Sequence, residues 1–261
     1  MQRALDPYLS YLCVYDVTGR PGVHIGMPST SFSLVLQVNE ALDVGWPGEP
    51  ESRGRFWSNA AGLHTRPAEI THGWRQHGVC IGLTMSGARA LLGLPAGELA
   101  GQLEDLGDVD THLRSLPERL AETDARRWPA IVGDELARAL SRHDAAPVRR
   151  EVARALSLLA TGAKVSDVAA AVGLGRRQLS ELIRAETGVT PQQWRGLARF
   201  QRSRPLVAQG RVLAEVAAMC GYADQSHLAR EWVALAGCSP TDWRRRELPI
   251  VQDRAAVAAR D

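Results

Sequence analysis

Four cysteines in 261 residues, Cys13, Cys80, Cys220 and Cys238, are too few and too scattered for a disulfide framework. With no Cys-x-x-Cys pair they make no zinc finger either, and they read as free thiols inside the fold. No uninterrupted run of about eighteen apolar residues exists to span a bilayer, and Met1 to Tyr8 lacks the apolar stretch of a signal peptide. The expectation is a cytoplasmic protein with no membrane partner. Gly-x-Ser-x-Gly, a phosphate loop and a dinucleotide fingerprint are all missing, so nothing positive supports an enzyme and no cofactor is implied. His24, His64, His72 and His77 fall in the first third, but no His-x-His is followed by a carboxylate at the spacing a cupin metal site uses. They read as turn or hydrogen-bonded histidines, with no metal.

What is present suits a chain with one or two full cores: 45% of residues are hydrophobic and 23% charged. The net charge of +2 hides an uneven distribution. Residues 1–147 carry 13 Arg against 18 Asp and Glu, net −5, whereas 148–250 carry 16 Lys and Arg against 9 Asp and Glu, net +7. The basic part is where a polyanion would bind. The change of sign coincides with a change of texture. Up to about Gly93, short alternating runs such as Tyr8–Tyr15 and Ser31–Val38 are punctuated by Gly and Pro, which is the pattern of strands and turns. From Ala88 the period becomes helical. Arg126 to Ala139 reads as an amphipathic helix, and the polar break Ser141 to Ala146 marks a domain boundary.

After the break, Pro147 suits the first position of a helix carrying Val148, Val152, Ala155, Leu156 and Leu159 on one stripe. Ser166 suits the N-cap of a short helix, Asp167 to Val172, closed by Gly173. A second helix begins near Gly175, with Leu179, Leu182 and Ile183 inward and Arg176, Arg177, Ser180, Glu181 and Arg184 outward until Gly188. A short helix, a glycine turn and a longer helix with a polar outer face make a helix-turn-helix. Thr190, Pro191 and Gln193 then form a capping box that starts another helix, with Trp194 packing back onto the bundle.

The arrangement is written twice. Asp167–Gly173 is answered by Glu215–Gly221, Leu179 by Leu228, and Gly188-x-Thr-Pro191 by Gly237-x-Ser-Pro240. The second unit places Gln225, Ser226, His227 and Arg230 outward, with Leu228 and Trp232 inward. A linking helix from Pro191 to about Gln209 is about 27 Å long at about 1.5 Å per residue, the order of the 34 Å between successive major grooves.

On these motifs residues 148–246 resemble the DNA-binding module of AraC-type transcriptional regulators. The signature reads Gly221-Tyr222-x-Asp224-x-Ser226-x-Leu228-x-Arg230-x-Trp232, followed by Gly237-x-Ser239-Pro240. The resemblance implies DNA contacts from Arg176, Arg177, Ser180 and Glu181 in the first unit and from Gln225, Ser226, His227 and Arg230 in the second. Arg195, Arg199 and Arg244 are expected at phosphates or on the surface. Two positions depart from the pattern. Glu181 stands where a basic residue is common and would accept from cytosine while repelling phosphate, and Pro205 should kink or end the linking helix.

The first half resembles, less specifically, the β-rich domains fused to this module in a branch of such regulators. The implied fold class is α+β: a cupin-like β-rich domain with helices over 1–145, an all-α double helix-turn-helix over 147–248, and a tail over 249–261. The implied function is a sequence-specific transcriptional regulator of bacterial type. Its implied partners are double-stranded operator DNA, RNA polymerase, a small-molecule effector and a second copy of the chain. Two alternatives stay open: a DNA-bending protein without an effector, and a regulator that senses oxidation or alkylation through Cys13 or Cys80, although neither has cations beside it. Trp46, Trp57 and Trp74 are expected in the core of the sheets, with the wall of an apolar pocket as the alternative. The stripe around Arg127 to Leu140 is either a dimer surface or packing within its own domain.

Overall fold

The structure, a computed structural model, describes residues 2–143 and 146–246, so the expected tail 249–261 lies outside the described residues. A short helix α1 (Gln2–Leu5) precedes β1 (Leu9–Thr18), β2 (Gly22–Gly26), β3 (Phe32–Gln37), β4 (Leu42–Trp46), β5 (Glu49–Phe56), β6 (Ser58–Ala61), β7 (Ala68–His72), β8 (Arg75–Leu83) and β9 (Leu103–Asp105). Two antiparallel sheets result, ordered β1-β8-β3-β6-β9 and β2-β7-β4-β5. The alternation in β3 shows how they are used. Phe32, Leu34 and Leu36 are buried in the main apolar core, while Ser33 and Val35 face a cavity between the sheets.

Helices α2 (Met85–Leu92), α3 (Leu106–Val109), α4 (Leu116–Ala121) and α5 (Trp128–Arg142) complete the first half. Thr84 caps α2 by accepting the Gly87 N–H at 2.9 Å, and Gly93 ends it in the left-handed region. Trp128, Val132, Leu136 and Ala139 on α5 are all within the core, and the Trp128 indole donates to the Leu120 carbonyl at 2.9 Å. The stripe expected around Arg127 to Leu140 is therefore spent inside its own fold.

The second half is helical: α6 (Arg150–Ala160), α7 (Val165–Ala171), α8 (Arg176–Thr187), α9 (Pro191–Ala208), α10 (Leu213–Cys220), α11 (Gln225–Ala236) and α12 (Pro240–Arg246). Thr190 and Gln193 form the expected reciprocal capping box at α9, and the Trp194 indole donates to the Leu156 carbonyl at 3.0 Å. Three local expectations are corrected. Pro147 lies ahead of α6, which begins at Arg150, although Val148 still packs into the core. Lys164, not Ser166, occupies the N-cap of α7, and the Ser166 hydroxyl instead donates to Asp167 at 3.0 Å. Pro205 does not end α9, which continues to Ala208, and the Pro205 carbonyl still accepts the Gln209 N–H at 3.0 Å. A proline deletes one donor only, and the burial of Phe200 and Val207 on either side holds the helix together.

The two halves meet closely. One continuous apolar core runs from the five-stranded sheet through α2, α4 and α5 into α6, α7, α8 and Trp194. A second core gathers Leu197, Phe200 and Val207 of α9 with Val216, Leu228, Trp232 and Trp243, and takes in Met27 from beyond β2. Arg89 on α2 makes three hydrogen bonds to the buried Glu186 carboxylate of α8, at 2.8, 2.9 and 2.8 Å. Beside this pair Gly188, at φ 73, packs so tightly that a Cβ there would collide with the side chain of Ala100.

Two histidines of the first half are held neutral. Burial, with a smaller contribution from the His72 ring tilted against it at 5.2 Å, pulls the His24 imidazole down to about 4. Burial likewise pulls His64 down to about 4, although its hydrogen bond to the Arg66 carbonyl opposes the shift. His77 lies against the Trp128 ring at 4.5 Å, and among the described residues no group of three His, Cys, Asp or Glu side chains converges as metal ligands.

Two stability measurements follow. Gly188→Ala should destabilise the full chain by about 1–3 kcal/mol in urea unfolding, because the residue is both left-handed and in contact with Ala100; wild-type stability would show that the two halves do not touch there. Between pH 6.5 and about 4 the unfolded chain binds protons at positions 24 and 64 that the native chain refuses, so stability should fall as pH falls through that window. A His24→Gln, His64→Gln variant should have a shallower slope there, and an unchanged slope would refute the assignment.

Candidate nucleic-acid interface and a cavity between the sheets

In each helix-turn-helix, α7 or α10 supports a longer helix whose inner stripe is buried and whose outer face is open. On α8, Leu179 and Ile183 are fully buried, while Arg176, Arg177 and Glu181 are exposed and Ser180 is half-buried. Glu181 is not an isolated negative charge. The Arg177 Nε donates to its carboxylate at 2.9 Å, an i,i+4 pair in solvent that neutralises the departure noted in the sequence. On α11, Leu228 and Trp232 are fully buried, and Gln225, Ser226 and Arg230 are exposed. Asp224 caps α11 by accepting the His227 N–H at 2.6 Å, which fixes where this face begins.

His227 is less free than the residues around it. Its Nδ1 accepts the Ala223 N–H at 3.2 Å, its Nε2 lies 3.7 Å from Glu231, and its ring meets Tyr222 edge-on at 5.3 Å. Arg195 is half-buried, donating to the Gly162 carbonyl and to Gln192 at 3.0 Å each, and Arg244 is exposed on α12. Arg199 departs from the expected phosphate or surface position. It is 9% exposed, makes two hydrogen bonds to Glu231 at 3.1 and 2.5 Å, and lies over the Tyr222 ring at 4.8 Å. Its charge is used to fasten α11 to α9.

A cavity of about 210 Å³ lies between the two sheets. Ser33, Val35, Asn59 and Ala61 line it from one sheet, where Ser33 pairs with Ala61 and Val35 with Asn59 across the β3–β6 ladder and so share a face. Val44, Ala68 and Ile70 line it from the other, and Gln201, Arg204 and Pro205 of α9 close one side. Gln201 is tied to the sheets, its Oε1 accepting the Thr30 N–H at 3.0 Å and the Thr30 hydroxyl at 2.9 Å. The cavity was not visible in the sequence, because its wall comes from strands spread over the first half and one helix of the second. Of the tryptophans, Trp46 is buried beneath Arg66 and beside His64, whereas Trp57 and Trp74 are 53% and 68% exposed, so the latter two belong to neither the core nor the cavity.

The cysteines are likewise placed. Burial pushes the Cys80 thiol up to about 11, which keeps it protonated and unreactive near neutrality. Cys13 is half-buried in β1 and donates to the Val14 carbonyl at 3.5 Å, Cys220 is buried, and Cys238 is half-buried.

Among the described residues no helix is long and apolar enough to cross a membrane. A family model described as a helix-turn-helix domain matches residues 168–246. The probable transcriptional regulator LumQ of Photobacterium leiognathi is 28% identical over 81 residues, which is 31% of this chain and 33% of that one. ToxT from Vibrio cholerae O395 superposes with a TM-score of 0.55 at 11% identity, covering 94% of this chain and all of its own. An unsaturated fatty acid bound form of ToxT from Vibrio cholerae strain SCE256 gives a TM-score of 0.53 at 9% identity, over 92% and 96% of the two chains. The fold of the whole chain is thus that of ToxT, two antiparallel sheets followed by a helical domain, and its carboxy-terminal part carries a helix-turn-helix domain of AraC type.

Proposed function

We propose that the chain is a sequence-specific DNA-binding transcriptional regulator in which α8 and α11 read successive major grooves and the cavity between the sheets takes a small-molecule effector. The observation that carries this reading is the pairing of two exposed, polar faces, on α8 and α11, in two helix-turn-helix units joined by one continuous helix, α9. The reading divides the labour near residue 146, with 1–145 as the effector part and 147–248 as the reading part. Direct base readout is assigned to Gln225 and Arg230 on α11, since glutamine pairs bidentately with adenine and arginine with guanine. Arg176, Arg177, Ser180 and Ser226 complete the two faces, and Arg195 and Arg244 serve phosphates. Glu181, already paired with Arg177, contributes through that pair, and His227 shapes the start of α11. The cavity supports the effector role because Gln201, Arg204 and Pro205 of α9 form part of its wall, so an occupant touches the element that sets the spacing of the two readers. ToxT, which shares the fold, has been solved with an unsaturated fatty acid bound.

Mobility shifts on DNA from the neighbouring intergenic regions, with competitor at physiological salt, test the reading. One fragment should be retained selectively, and equal loss from every fragment would overturn sequence-specific binding. On the retained fragment, Arg230→Ala should cost about 1–3 kcal/mol and relax preference at one base pair, whereas uniform weakening on all sequences would make it a phosphate contact. Arg195→Ala and Arg244→Ala should each reduce the salt slope by about one. Arg199→Ala should instead lower unfolding stability by on the order of 3 kcal/mol, since it strands the largely buried Glu231; a lost salt slope with wild-type stability would return Arg199 to the DNA.

A further inference from the structure

A strand at the edge of a sheet leaves one row of backbone groups unpaired, and folds protect such rows with charge, proline or brevity. Of the four sheet edges among the described residues, three are protected. β9 and β2 are three and five residues long, and β5 carries Glu49, Pro50, Glu51, Arg53 and Arg55. β1 is the exception. It runs for ten residues, and from Leu9 to Tyr15 it holds neither a charge nor a proline.

The ladder fixes which backbone groups are left over. β1 pairs with β8 alone, Cys13 lies opposite Cys80, and the same register carries on to Gly19, whose N–H donates to the carbonyl of Trp74 opposite it at 2.9 Å. Bonded pairs in an antiparallel ladder recur at every second residue, so Cys13, Tyr15 and Val17 turn their backbone groups to β8 while Leu12, Val14 and Asp16 turn theirs outward. No other strand among the described residues meets them. The side chains of Leu12 and Val14 share the face that packs on the main core, whereas Tyr11 and Tyr15 gather with Cys80 on the other. Beside the free edge an open apolar groove separates β1 from the outer side of α5. Leu5, Leu12 and Val14 form one wall, and Pro129, Ala130 and Gly133 form the other.

The strand that fits this edge must bring apolar side chains on the groove side, and β1 is complementary to itself. A two-fold axis perpendicular to the sheet keeps every side chain on its own face, so a residue can lie opposite only residues an even number of positions away. Centred on Cys13, the pairing sets Leu12 of each copy against Val14 of the other, and Asp16 against Ser10. A centre at Leu12 would set Val14 against Ser10. A centre at Val14 would set Leu12 against Asp16, which is already tied to Arg75. Only the Cys13 register matches both apolar side chains with apolar partners, the arrangement that stabilises cross-strand pairs.

We infer that β1 is a homodimer interface, in which two copies join their five-stranded sheets edge to edge, antiparallel about Cys13, with Leu12 and Val14 of each copy bordering the groove of the other. The small residues Ala130 and Gly133 leave room there for the incoming side chains. Neither α8 nor α11 takes part, so the interface stands apart from the reading of DNA and is tested without it.

Sedimentation velocity of the full-length protein over a concentration series should show a reversible dimer. Val14→Pro deletes one outward N–H and no bond to β8, and Ala130→Arg places a long charged side chain in the groove from an exposed position on α5. Each should weaken the dimer at least about tenfold, while a thermal melt shows that the chain is folded; if Val14→Pro does not fold, Ala130→Arg decides. Oxidation with diamide in a Cys80→Ala background reads the register. Cys13 then faces its copy in a non-bonded pair, with Cα atoms about 4.5 Å apart and within the range of a disulfide. A covalent dimer should form, and Cys13→Ala should abolish it. A slip of the register would move these Cα atoms to about 7–8 Å, too far to bridge. A chain that is monomeric at about 100 µM, a dimer of undiminished affinity in the folded variants, or a dimer that Cys13 never cross-links would overturn the inference.

Discussion

Helix α9 has to satisfy three neighbours at once, and the rest of the molecule is arranged around that constraint. Near its start Trp194 reaches into the core of the first helix-turn-helix, and farther along Leu197, Phe200 and Val207 build the core of the second. Its remaining face presents Gln201, Arg204 and Pro205 to the sheets. Arg202 adds a further tie, since its guanidinium donates to the carbonyls of Ala160 and Cys220, the last residues of α6 and α10. A cation at two helix C-termini meets their exposed carbonyls and the negative ends of their dipoles together. Few positions on α9 can change without disturbing one of these partners.

The two helix-turn-helix units are otherwise fastened differently, although their sequences repeat. The first is held to the sheet domain through Arg89 and Glu186 and through the close approach of Gly188 to Ala100. The second is held to α9 itself, by Arg199 and Glu231 and by the Trp232 indole, which donates to the Ser203 hydroxyl at 2.9 Å. A movement of the sheets therefore reaches the first helix-turn-helix directly and the second only by way of the linking helix. The repeated phrase encodes the same local structure twice, and the long-range contacts make the two copies inequivalent.

What could be read from the sequence was whatever depended on near neighbours. The capping box at Thr190, the left-handed glycines at 173, 188, 221 and 237, and the inward stripes through Leu179 and Leu228 each rest on residues a few positions apart. Arg199 was misplaced because its partner, Glu231, lies 32 residues away on another helix, and an arginine on a basic stretch has no local mark of burial. Trp57 and Trp74 were assigned to the interior on residue type alone, yet both end up at strand ends and exposed. The cavity was the least legible part, since it depends on two sheets and a distant helix coming together. Within β3 only Ser33, set between Phe32 and Leu34, marked in the sequence that one face of the strand met something other than the apolar core.

The continuous core has a consequence for taking the molecule apart. Leu91, Ala96 and Leu99 from the first half share one apolar cluster with Val148, Val152, Ile183 and Val189 from the second. A fragment cut at the polar break would keep every helix and strand of its half but expose the apolar surface that the other half had covered. The break marks where strands and their covering helices give way to the helix-turn-helix units, while the unit that buries its hydrophobic surface is the two halves joined, so fragments made there would be prone to self-association through the uncovered face.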